Sequence, residues 1–206
     1  MRRVEVMLFD EEIMQAFESM AKARQDLVAL LKQKTSKTLE QDYVFSDGTR
    51  DDVSLSELFK DRADLIVIHN MGKSCRWCTL WADGLNGLQQ HLQARAEIVI
   101  VSPDTPKVQQ EFAQGRGWSI RMLSDVSGSF TSDMGFATTE NGQRYVLPGV
   151  STFHKMGDGS IVRVSADGFG PGDVYMPVYP LFDLLQDGSA EWEPQYTYAK
   201  PISIEL

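Results

Sequence analysis

Cys75 and Cys78 are the two cysteines of this 206-residue chain, and they bracket Arg76 and Trp77 in a Cys-Arg-Trp-Cys element. Two cysteines placed at random would fall this far apart only about one time in a hundred, so the spacing calls for a chemical reason. The element follows an apolar run and a short loop containing Gly72, and it opens an amphipathic stretch. Cys75 is therefore expected at a helix N-terminus, where unpaired backbone N–H groups and the helix dipole stabilise a thiolate. Such a position lowers a cysteine pKa from about 8.5 to between roughly 3.5 and 7.5. Lys73 and Arg76 add positive charge alongside. Cys78 lies one turn further in, near enough to attack a mixed disulfide formed at Cys75, which is the two-step exchange of a dithiol oxidoreductase. Two other chemistries fit the same pair. Buried cysteines can be inert, and a Cys pair can be half of a zinc site, with His69, His91 and His154 as the available nitrogen donors.

The surrounding pattern predicts the elements that hold this pair. Ile13, Phe17, Met20, Leu27 and Leu31 draw one stripe along a long helix over residues 10 to about 34, with Asp10 as its cap. A polar connector over residues 35–41 follows. Tyr43-Val44-Phe45 and Asp52-Val53-Ser54 flank the turn signal Ser46-Asp47-Gly48 as a hairpin, and Ser54-Leu55-Ser56-Glu57 opens a short helix. Leu65-Ile66-Val67-Ile68 and Ile98-Val99-Ile100-Val101 are continuous apolar runs of the kind covered on both faces. Between them a helix is expected from Cys75 or Arg76 to about residue 94, burying Leu80, Leu85, Leu88 and Leu92. A helix over residues 105–114, a strand at 120–123 and a short helix at 129–134 come next.

Residues 150–155 and 161–164 flank Gly157-Asp158-Gly159 as an antiparallel hairpin. A last helix is expected from Asp173 to about Leu185, bent or delayed by Pro177 and Pro180. The aromatic tail beyond it should wrap the surface. Gly168 to Asp173 is Gly-rich but lacks the Lys-Ser/Thr of a phosphate loop, so it reads as a turn. The alternation of strands and helices implies an α/β fold, a mixed sheet with helices on both faces. The domain organisation is a helical extension over residues 1–41 and an α/β domain over 42–206.

Composition narrows the function. Twenty Lys and Arg against 29 Asp and Glu give a formal charge of −9, which disfavours nucleic acid and anionic membrane surfaces as partners. No window approaches the run of about 18 apolar residues that a spanning helix needs. The opening MRRVEVMLFDEE reaches Asp10 before a signal-peptide core can form. The expectation is a cytoplasmic protein without nucleic-acid or membrane partners, with the long helix offering a contact for a homo-oligomer.

The stretches DGTRDDVSLSELFKDRADLIVIHNMGKSCRWCTLWADGLNGL and PGVSTFHKMGDGSIVRVSADGFGPGD resemble the thioredoxin-like proteins of domain of unknown function 899. Those proteins are relatives of the alkyl hydroperoxide reductase and thiol-specific antioxidant group. The resemblance implies a thioredoxin-like three-layer sandwich from about Tyr43 onward, preceded by a helix. It also implies roles for two further residues. Thioredoxins carry a buried acid six residues before the first cysteine, and His69 holds that place as a base for the inner thiol. They also place a cis-proline five residues before a strand phenylalanine, the spacing of Pro148 and Phe153. In each case a plainer role, a core histidine or a turn proline, fits the residue as well.

Departures from the relatives matter too. Arg76 and Trp77 stand where thioredoxins have Gly-Pro. With Cys78 aligned to a peroxidatic cysteine, Gly72 and Cys75 occupy the places where peroxiredoxins carry Pro and Thr or Ser. The preferred function is therefore thiol–disulfide exchange, with no cofactor and with protein or small-molecule thiols and disulfides as substrates. An atypical thiol peroxidase and a redox-inert binding module are the alternatives.

Overall fold

A computed structural model describes residues 10–198. The helix α1 (Glu11–Thr35) starts where the stripe predicts, with the Asp10 carboxylate accepting from the Ile13 N–H at 2.9 Å. A side-chain cap of this kind contributes about 1 kcal/mol. None of its residues is fully buried.

Its last turn is tied to the sheet that follows. Thr35 Oγ1 accepts from the Ala166 N–H at 2.8 Å, and the Thr35 carbonyl accepts from Arg163 Nε at 2.8 Å. Immediately beyond, β1 (Lys37–Thr38) pairs antiparallel with β10 (Ile161–Gly168). The boundary expected at residues 41 and 42 thus falls after a strand of the main sheet.

That sheet has six strands in the order β1-β10-β9-β4-β5-β6. β4 (Asp64–His69), β5 (Glu97–Ser102) and β6 (Arg121–Ser124) run parallel, joined by crossovers, as the two apolar runs require. β9 (Gly149–Lys155) lies antiparallel to β4 on one side and to β10 on the other. The first crossover holds α2 (Arg76–Gly87) and α3 (Gln89–Gln93), and the second holds α4 (Pro106–Arg116). The expected single helix to residue 94 is therefore two, broken at Leu88, whose side chain is exposed rather than buried.

The hairpin of β2 (Val44–Phe45) and β3 (Val53–Ser54) forms as expected, and Ser54 and Glu57 make a reciprocal cap on the 3-10 turn Leu55–Phe59. α5 (Ser129–Asp133) also forms. An additional hairpin, β7 (Ala137–Glu140) with β8 (Gln143–Val146), follows it. The last expected helix shrinks to α6 (Val178–Phe182). Pro177 and Pro180 deny the amide donors a longer one would need. The tail is described as far as residue 198. Among the described residues no helix is long and apolar enough to cross a membrane.

The two-residue period of the central strands splits the core into two layers. Leu65, Val67, Val99, Val101, Leu123 and Phe153 point to one face, against Phe45, Leu58, Phe59, Phe130 and Phe136. Ile66, Ile68, Ile98, Ile100 and Met122 point to the other, under α2 with Cys78, Trp81 and Ala82. On that second face, Val28 and Leu31 of α1 roof an apolar cavity of about 270 Å³ floored by Ile66, Ile68 and Ile98.

His69 continues the first series. Its ring stacks on Phe136 at 3.8 Å and on Phe130 at 5.5 Å, and its Nε2 shares a 2.9 Å hydrogen bond with Ser151 Oγ. Burial, reinforced by the nearby Arg163 charge, depresses its pKa from 6.5 to about 3. The folded protein thus holds a neutral imidazole where the unfolded chain would take up a proton. The stability this supplies is complete above pH 6.5 and drains away as pH falls toward 3, at about 1.4 kcal/mol per pH unit. Urea unfolding between about pH 6.5 and 5, above the range where the carboxylates titrate, should show this slope for the wild type. His69→Gln should be less stable near neutral pH but lose the His69 contribution to the slope.

Candidate functional site

β4 stops at a short loop that delivers the cysteines. The Asn70 N–H still bonds to the Val101 carbonyl of β5 at 2.9 Å, while Asn70 Oδ1 turns back to accept from the Gly72 N–H at 2.7 Å. Gly72 has φ +101°, a region that L side chains rarely enter, and a Cβ there would press on the Asp104 carboxylate. That carboxylate, carried on the loop after β5, accepts from the Lys73 N–H at 2.6 Å. Asp104 is itself seated by its carbonyl, which accepts from Ser124 Oγ at 2.6 Å. Three adjacent strand ends thus set the height of the loop. The sequence marks Gly72 as a loop glycine but does not show its contact with Asp104, nor Asp104 itself. The Ser102-Pro103 stop after β5 is the one local signal near Asp104, and it does not reveal which loop Asp104 meets.

Cys75 is the N-cap of α2, half-buried, and its Sγ accepts from the Cys78 N–H at 3.1 Å. The Cys75 carbonyl accepts from both Thr79 N and Thr79 Oγ1, fixing the first turn. Cys78 is buried, and its Sγ accepts from the Met71 N–H at 3.4 Å. Both sulfurs are free thiols.

Their acidities are split by their contact. The Cys78 side chain is the largest influence on the Cys75 sulfur. This, with the backbone N–H groups of Cys78 and Trp77, outweighs partial burial and brings Cys75 down from 9.0 to about 7. The same contact, then burial, then repulsion by the Cys75 charge push the Cys78 thiol far up. One proton held by the inner sulfur therefore supports a nucleophilic outer one at neutral pH.

The remaining expected site residues are arranged differently. His69 faces the opposite side of the sheet from Cys78, among Phe130 and Phe136, with its Nε2 taken by Ser151. The strand alternation that buries it also keeps it from taking a proton from either cysteine, so the expectation of a His69 base is corrected. Arg76 lends no bare charge to Cys75, because its guanidinium is 2.5 Å from the Glu193 carboxylate. Neither Arg76 nor Lys73 is among the groups that lower Cys75. Every peptide bond among the described residues is trans, Leu147–Pro148 included, which corrects the expected cis-proline.

Pro148 does lie at the dithiol end of the sheet, since the next residue, Gly149, pairs with His69. Its carbonyl accepts from the Phe169 N–H at 3.0 Å. Trp77 stacks on Tyr179 and meets Trp192 edge-on, each at 6.3 Å between ring centroids, so it packs rather than standing free over Cys75. Asp83, on the helix that follows the cysteines, accepts from Arg116 and from Trp118 Nε1. Among the described residues no group of three or more Cys, His, Asp or Glu side chains could hold a metal ion.

The family described as Bacterial protein of unknown function (DUF899) matches residues 2–202. No curated protein matches. Among solved structures, the chain is similar to the peroxidoxin BcpB of Mycobacterium tuberculosis, with 25% identity and a TM-score of 0.52. That match covers 64% of this chain and 86% of the other. It is also similar to reduced Prx3 of Vibrio vulnificus in complex with hydrogen peroxide, at 19% identity and TM-score 0.51, over 66% of this chain and 88% of that one. The bacterioferritin comigratory protein of Xanthomonas campestris, at 17% identity and TM-score 0.50, covers 64% of this chain with 87% of its own. The fold is thioredoxin-like.

The split between the two sulfurs has a direct readout. Thiolate ultraviolet absorbance against pH should rise with a midpoint near 7 in the reduced protein and lose that step in Cys75→Ala. In Cys78→Ala the midpoint should move upward, because the largest influence lowering it has been removed. An unchanged midpoint would show that the backbone amides alone hold the thiolate.

Proposed function

The chain belongs to the DUF899 family of bacterial proteins of unknown function, and we propose that it acts as a thiol–disulfide oxidoreductase. The observation that carries this reading is a half-buried Cys75 at the N-cap of α2, its sulfur accepting from the Cys78 N–H, with its pKa lowered to about 7. In the forward reaction the Cys75 thiolate attacks one sulfur of a substrate disulfide. A Cys75–substrate disulfide forms and the other substrate sulfur leaves as a thiolate. Cys78 then gives up its proton to a departing thiolate and attacks Cys75, releasing the second substrate sulfur. The balance is two electrons: the protein dithiol becomes a disulfide and the substrate disulfide becomes two thiols. No prosthetic group takes part, and a partner dithiol returns the electrons.

Peroxide reduction is the second reading, favoured by the similarity to a peroxidoxin at 25% identity. On this reading Cys78, deeply buried and with a strongly raised pKa, is not the sulfur that meets the peroxide. Cys75 would then be the peroxidatic sulfur.

Single-turnover mass spectrometry separates these readings. Cys78→Ala treated with a disulfide should accumulate a covalent Cys75 adduct, whereas Cys75→Ala should form none. Wild type should close its internal disulfide and release both substrate thiols. If hydrogen peroxide oxidises the wild type much faster than any disulfide does, the peroxidase reading takes precedence.

The proposal extends to self-association through α1. Ile13, Met14, Met20, Leu27 and Leu30 are exposed on this helix, an apolar surface that a second copy would cover. Sedimentation velocity of the full chain should give a dimer or larger species. Met20→Lys with Leu27→Lys should shift it toward the monomer while leaving thiol reactivity intact.

A further inference from the structure

We propose that residues 179–196 form a strap that admits small disulfides and thiols to Cys75 and excludes polypeptide disulfides, a reading that rests on the dithiol function proposed above. The two residues between the cysteines are the surface against which a protein substrate would have to lie, and both are already occupied from this segment. Arg76 is paired with Glu193 at 2.5 Å. Trp77 lies between Tyr179 and Trp192, and Trp192 in turn meets the Phe182 ring at 5.0 Å. Three residues further on the chain is pinned again. The Tyr196 carbonyl accepts from Arg116 Nη1 at 3.0 Å, and its ring meets Phe112 edge-on at 6.3 Å. Arg116 is a firm post for this anchor, because Asp83 holds its guanidinium through two hydrogen bonds. Burial first, and then the Cys75 charge, raise the Tyr196 hydroxyl above its ordinary pKa.

The other route for a polypeptide is closed by the sheet itself. An extended substrate commonly docks by adding a strand to a free backbone edge. Here β9 lies between β4 and β10, and the Pro148 carbonyl at the dithiol end of the sheet is bonded to the Phe169 N–H. Small disulfides need neither surface.

The strap is held lightly enough to be moved. Arg76 and Glu193 are 45% and 55% exposed, and an ion pair so open to water contributes little. The ring contacts of Trp192 are therefore its principal anchor at the dithiol.

The test uses the full-length, pre-reduced protein in single turnover with two probes, oxidised glutathione and insulin. Wild type should reduce glutathione disulfide readily and insulin slowly. Trp192→Ala, which leaves the Arg76–Glu193 pair in place, should accelerate insulin reduction by about tenfold while leaving the glutathione rate within about twofold. Phe182→Ala, which removes one ring contact of Trp192, should move insulin in the same direction by less. If the two substrates accelerate in parallel, or neither changes, the strap does not select substrates and the inference fails while the dithiol function stands. If no variant transfers electrons to either probe, the dithiol function fails with it.

Discussion

The arrangement depends on the pairing of Cys75 with Cys78, whose backbone N–H donates to the Cys75 sulfur at 3.1 Å and whose side chain is the largest influence on its acidity. It makes the two cysteines chemically unequal although they share a helix turn. The inner sulfur keeps a proton because it is buried and sees a negative neighbour. The outer sulfur parts with its proton because the inner side chain and two backbone amides favour its charged form. Side-chain charge contributes little, since the nearest arginine is already spent on Glu193. On the proposed reading the acidity of Cys75 rests on the geometry of the backbone and one neighbour, which dissolved salt screens far less than it screens exposed charges.

That geometry is inherited from the sheet. β4 and β5 are parallel and in register, so Asn70 can still bond to Val101 after the strand has ended. Asp104, on the neighbouring strand's exit, can then hold the loop from the side. A parallel pair with both exits at one end is a natural place for chemistry, because loops from adjacent strands converge there.

Much of this was legible in the sequence, and the failures have physical causes. α1, β4, β5 and the β9–β10 hairpin announce themselves through periodicity, apolar runs and a Gly-Asp-Gly turn. The β7–β8 hairpin does not, although Asn141-Gly142 is a strong turn signal. Gln143, Arg144 and Tyr145 are all exposed, leaving no alternation to read. A continuous run such as Leu65 to Ile68 also conceals which face each residue takes, and that is why His69 could be imagined beside the cysteines. The partners of Asp83 and Asp104 lie some thirty residues away in sequence, as the Arg116 and Lys73 bonds show. No local pattern reports them. The cysteine pair, by contrast, needs no long-range information, since its helix-cap position follows from the turn before it.

The outer margin of the sheet carries a consequence for how the chain is handled in cells and in the laboratory. β10 is eight residues long, and its far side is shielded by only two paired residues of β1, with Thr35 and Leu39 taking the amide of Ala166 and the carbonyl of Ile161. A protease nick or truncation that removed this short stretch would bare a long row of unpaired amides and carbonyls. Such a margin is a template on which further copies can stack. The thin N-terminal stitch thus guards against fibrillar aggregation.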